Sequence, residues 1–73
     1  MRHTVRKIMM LANDKGITRS KLSDLLSVPE HILYDWQRGL REPTIRDIVL
    51  ISEYFNASCD WLLKDEIKNP AEN

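Results

Sequence analysis

Two histidines, one cysteine and a scatter of carboxylates are the side chains with reactive chemistry in this 73-residue sequence. His3 stands near the start of the chain, and His31 has neither a nucleophile nor an orienting carboxylate at a spacing that makes a catalytic group. Cys59 has no second cysteine for an internal disulfide, and no cysteine–histidine cluster has zinc-ligand spacing. A lone cysteine of this kind reads as a small core hydrophobe. There is no glycine-rich phosphate loop, and so short a chain has little volume for a substrate pocket. Catalysis, cofactors and resident metals are therefore not expected, and the chemistry on offer is binding. The groups that could bind are concentrated in one stretch: Arg19 and Ser20, then Glu30, His31, Tyr34 and Asp35, then Arg38 and Arg41.

The elements that must position these groups are two short amphipathic helices within Thr18 to Gly39. Leu22 and Leu26 fall at i and i+4 on the first, and Leu33 and Trp36 at i and i+3 on the second. Thr18 is suited to cap the first helix, and Pro29 suits the first turn of the second, where its missing N–H costs nothing. Leu26-Ser27-Val28 is short enough to force a sharp angle between the axes, and Ser23 is small enough for the helices to approach closely. The stretch reads as a helix-turn-helix.

The flanks read as helix too. Thr4 is placed to cap a first helix running to about Lys15, with Val5, Ile8, Met9 and Ala12 on one stripe and Leu11 widening it. Gly16 supplies its left-handed stop. Leu40-Arg41-Glu42-Pro43 is a loop, and Thr44 begins a fourth helix with Asp47 at its favourable N-terminal dipole. Ile45, Ile48, Ile51 and Phe55 recur along it; Asn56 is a left-handed stop, and Ser58 caps a short fifth helix carrying Trp61, Leu62 and Leu63. The expected organisation is an arm over 1–3, one all-α domain of five helices over 4–63, and a frayed polar tail over 64–73. The expected core is Ile8, Leu11, Leu22, Leu26, Leu33, Trp36, Ile48, Ile51, Phe55, Trp61 and Leu62. A domain this small is marginal unless its helices pack well or it gains a partner.

Net charge is zero, but its distribution is uneven. Through Arg41 the chain is basic, and after it the chain is acidic by the same amount. That dipolar pattern suits nucleic acid on one side and equally suits ordinary solvated charge. No signal peptide and no membrane-length apolar run is evident, so a cytoplasmic protein is expected.

Gly16-Ile17-Thr18, Leu22-Ser23, Leu26-Ser27-Val28, Leu33, Trp36 and Arg38-Gly39 together resemble the compact helix-turn-helix domain of the Cro and phage-repressor class. The likeness continues through Pro43-Thr44, Leu50-Ile51, Tyr54 to Ser58 and Asp60 to Leu63. It implies a fold in which the second motif helix enters the DNA major groove and its first turn meets base edges. By position, phosphate contacts would fall to Arg19 and Ser20, to Arg38 and Arg41, and to Arg6 or Lys7. Base reading would fall to Glu30 and His31, then Tyr34 and Asp35. The family commonly has glutamine, arginine, serine or lysine there; two carboxylates instead accept from cytosine amino groups but repel phosphates. An arginine on helix one that the family often pairs with a glutamate is replaced by Ala12, and its partner by Gln37.

Leu25, Glu30, Ile32, Tyr34 and Asp35 form an acidic, partly apolar set that would complement a basic recognition helix. At the level of the whole chain the layout is similar to temperate-phage modulator-of-repression (MOR) antirepressors, which act with the phage's main repressor. Two functional readings stand open. One is an antirepressor that binds a repressor and masks its DNA-binding surface, with a mixed mode in which the pair binds DNA together. The other is a Cro-like operator-binding repressor acting alone as a homodimer.

Overall fold

The structure, a computed structural model, describes residues 2–64. Five helices follow one another: α1 (Arg2–Asp14), α2 (Arg19–Leu26), α3 (Glu30–Gln37), α4 (Ile45–Phe55) and α5 (Cys59–Leu63). No strand occurs among the described residues, so the fold is all-α, as the periodicity predicts. α1 packs against α3 and α5, α2 against α3 and α4, and α4 against α5.

Most helix ends form where the sequence places them. The Thr18 hydroxyl accepts from the Lys21 N–H at 3.1 Å. The Thr44 hydroxyl accepts from Asp47 N–H at 3.2 Å, while the Asp47 carboxylate accepts from Thr44 N–H at 2.9 Å, a reciprocal capping box. Ser58 accepts from Trp61 N–H at 3.0 Å. Asn56 ends α4 at φ 54°. Pro29 sits one position earlier than expected, as the N-cap of α3, with its extended ψ of 147° leading into the helix. The turn itself depends on Ser27, which ends α2 in the left-handed region at φ 55°. A serine there is strained relative to glycine. The turn recovers a backbone bond from Val28 N–H to the Ser23 carbonyl at 3.0 Å.

α1 departs from expectation at its start. It begins at Arg2, so residues 2 and 3 are helical and Thr4 is not a cap. Thr4 is fully buried, and its hydroxyl donates to the Leu62 carbonyl at 2.7 Å. One turn on, Lys7 lies along the same flank. Its ammonium donates to the carbonyls of Trp61 and Lys64, each at 2.7 Å. α5 has only five residues, too few to hold a helix by its own hydrogen bonds. α1 therefore supplies donors to its C-terminal carbonyls, and a cation at that end of a helix is electrostatically favourable. Lys7, expected as an alternative phosphate contact, is instead buried and bound to α5.

Val5, Ile8, Ala12, Leu22, Leu26, Leu33, Trp36, Ile48, Ile51, Phe55 and Leu62 make the core. Leu11 and Cys59 are partly buried against it. Trp61 is not a core residue: it is 38% exposed and lies 5.1 Å from the Lys7 ammonium, a cation–π contact on the flank of the molecule. Ile45 is 68% exposed, because as the first residue of α4 it precedes the turn that faces the core. Apart from Lys64, the expected tail lies outside the described residues.

Trp36→Ala is expected to cost about 3–5 kcal/mol in chemical denaturation, since the ring is buried between packed helices. Thr4→Val, which keeps the shape but loses the hydroxyl, is expected to cost about 1 kcal/mol. Amide exchange should then quicken in α5 while that of α2 and α3 keeps pace only with the global loss.

Candidate nucleic-acid and partner interface

α3 is held by Leu33 and Trp36, both buried, and Ile32 is half-buried and packed against the core from the same side. Ile32, expected in the partner-binding set, therefore packs against the core and does not stand outward with it. The outward row is Glu30, Tyr34 and Gln37, at i, i+4 and i+7, so three side chains line up along the helix. α2 begins beside this row, because the turn at Ser27 folds the two helices together and the buried Ser23 permits close approach.

Arg19, the first residue of α2, extends over that row. Its guanidinium carbon lies 3.9 Å from the Tyr34 ring centroid. Nη2 donates to the Tyr34 hydroxyl at 2.6 Å and Nη1 to the Gln37 side-chain oxygen at 3.2 Å. Nε lies 3.8 Å from a Glu30 carboxylate oxygen. All three nitrogens thus have an α3 side chain as neighbour, at the first, second and third turns of that row. Stacking and directed N–H bonds are what a planar guanidinium does better than an ammonium.

A second arginine is engaged at the other end of α3. Arg41 Nε donates to the Asp35 carboxylate at 3.1 Å. The Asp35 carbonyl also accepts from Leu40 N–H at 2.8 Å, so the loop after Gly39 is folded back on α3. Gly39 makes this return at φ 76°, a conformation that a side chain would strain. Arg38, Ser20 and His31 are exposed and carry no ion pair among the described residues. A third arginine, Arg46, donates from α4 to the Leu26 carbonyl at 3.0 Å and ties the end of α2 to α4.

The structure thus brings together Arg19, Glu30 and Tyr34, and separately Asp35 and Arg41. Leu25 is not with them: it lines a shallow groove of about 260 Å³ between α2 and α4, beside Leu50 and Tyr54. Gln37 is the site residue that reading by family position passed over, since there it figured only as a missing charged partner. The i, i+4, i+7 row from Glu30 was the available signal. Lys7 was likewise signalled by its place between Thr4, Ile8 and Leu11 on a buried flank.

On duplex DNA, Arg38→Ala is expected to make the plot of log affinity against log salt shallower by about 0.9, the loss of one phosphate contact. Arg19→Ala should change the slope by clearly less, because its guanidinium already has partners within the protein. Titrations from low to moderate salt on one duplex measure both.

A helix-turn-helix family model matches residues 8–62, which spans α2, α3, α4 and most of the flanking helices. No curated protein and no solved structure matches the chain. Among the described residues no helix is long and apolar enough to cross a membrane. The matched stretch contains the whole motif and the packing that positions α3, and on that ground the chain belongs to the helix-turn-helix family of the Cro and phage-repressor type, whose members regulate transcription by binding DNA.

Proposed function

We propose that this regulator acts in a phage-type genetic switch as an antirepressor, laying α3 against the DNA-binding surface of a repressor. The observation that carries the proposal is the internal engagement of its arginines. Operator readers gain a large share of their affinity from cations facing phosphates. Here two of the arginines best placed for that, Arg19 and Arg41, are turned onto Glu30, Tyr34, Gln37 and Asp35 of the reading helix itself. What α3 offers outward is a 44% exposed tyrosine framed by polar groups, with two carboxylates that a basic partner would take over from Arg19 and Arg41, the composition of an interface anchor.

One observation favours operator binding by the chain alone, as a homodimer. Arg38 is exposed at the end of α3 without an ion pair among the described residues, and exposed ion pairs such as Arg41–Asp35 are weak enough to exchange for phosphates. The mixed mode, with repressor and regulator on DNA together, uses the same exchange.

Asp35→Lys and Tyr34→Ala separate the two readings when each variant is tested against repressor and operator, with folding checked by thermal melting. If α3 masks a basic repressor, Asp35→Lys should weaken the complex by placing like charges together, and Tyr34→Ala should lose about 1–3 kcal/mol of binding. If α3 reads DNA unaided, Asp35→Lys should hold or strengthen nonspecific DNA affinity. Wild-type repressor affinity in both variants, together with tight operator binding by the unaided protein, rejects the antirepressor.

A further inference from the structure

We propose that Glu30 and Tyr34 hold Arg19 away from the DNA backbone, so that the protein's own affinity for duplex DNA is set by an internal competition for one guanidinium. Arg19 heads α2, beside the N-terminal turn of the motif, where a released arginine would reach a phosphate. Its five N–H groups are the chemistry that phosphate recognition uses. In the folded chain part of that chemistry is used by α3. Both terminal nitrogens donate to α3 side chains, Tyr34 at 2.6 Å and Gln37 at 3.2 Å, and the ring of Tyr34 covers the guanidinium plane at 3.9 Å. The Nε atom is buried and has no hydrogen-bond partner, with the Glu30 carboxylate 3.8 Å away. An arginine merely oriented for DNA would keep its terminal nitrogens toward solvent. This one has one N–H of each terminal nitrogen committed to α3, and a phosphate that takes the guanidinium in a paired, two-pronged contact must displace those bonds and the Tyr34 ring contact. The Arg41–Asp35 pair, which uses a single nitrogen and leaves Arg41 largely exposed, is a looser version without the stack.

The proposal concerns the chain and DNA alone, so it stands or falls apart from the choice of protein partner. The test is the double variant Glu30→Gln with Tyr34→Phe, made in the native chain and again in Arg19→Ala. It removes the carboxylate and the hydroxyl acceptor while keeping both shapes. Binding to one duplex is measured across salt for all four proteins, with folding checked by thermal melting and no repressor present. Removal of a carboxylate strengthens DNA binding on its own account, and the Arg19→Ala pair measures that contribution. The remainder reads the release of Arg19.

The expected result is that the double substitution tightens binding about three- to tenfold more with Arg19 present than with alanine there. The salt slope should steepen by about 0.9 only when Arg19 is present, the signature of one added phosphate contact. Resolved Nη signals from Arg19 in side-chain NMR of the wild type should average in the double variant. Equal effects in the two backgrounds, weaker binding by the double variant, no measurable duplex binding by it, or freely rotating Arg19 Nη groups in the wild type would each overturn the proposal.

Discussion

The burial of Leu33 and Trp36 is the constraint on which the rest depends. α3 has eight residues, too short to be a stable helix in water, and its N-cap is a proline that offers no side-chain bond. Its existence therefore rests on the two buried side chains, which fix it against α1 and α2 and so decide which row points outward. Everything said about the interface follows from that rotation. Turn α3 by one residue and Glu30, Tyr34 and Gln37 would no longer lie in one line beside Arg19.

The same economy of short helices explains the polar groups inside. A domain of this size has a small apolar core, so it ties its elements together with side chains that satisfy the backbone of other helices. Lys7 and Thr4 close α5, and Arg46 closes α2. Thr4 and Lys7 are buried in return for order at a helix end, where carbonyls have no intrahelical partner, while Arg46 does the same from an exposed position. Of the bases through Arg41, Lys7, Arg19 and Arg41 all have internal partners. The uneven charge of the sequence thus overstates the free positive charge of the folded surface.

Much of the fold was legible because its signals are local. Periodicity placed five helices, and Thr18, Thr44, Ser58, Gly16, Asn56 and Gly39 punctuated them through their own backbone and capping preferences. The failures share a cause. Thr4 has the chemistry of a cap but is drawn into the core by a carbonyl 58 residues away in sequence. Trp61 has the bulk of a core residue but serves as a cover for Lys7. In the interface, position along the motif identified Arg19, Glu30, Tyr34 and Asp35 as outward groups. It did not reveal that they bind one another, because that pairing crosses from α2 to α3 and depends on the angle set at Ser27.

That angle gives the acidic residues of α3 a different meaning from the one they carry in the sequence. As isolated charges on a reading helix, Glu30 and Asp35 would repel a phosphate backbone and count against DNA. Placed beside Arg19 and Arg41 they neutralise as much positive charge as they add negative, and the face becomes polar and nearly uncharged. A face of this kind binds neither DNA nor a basic protein by long-range attraction alone. It must gain affinity by close fit or by exchanging its internal pairs for external ones. Because exposed pairs contribute little to stability, that exchange costs the fold little. Family membership makes the chain a DNA-binding regulator, and on the competition proposed above its affinity depends on whether α3 or an outside acceptor holds Arg19.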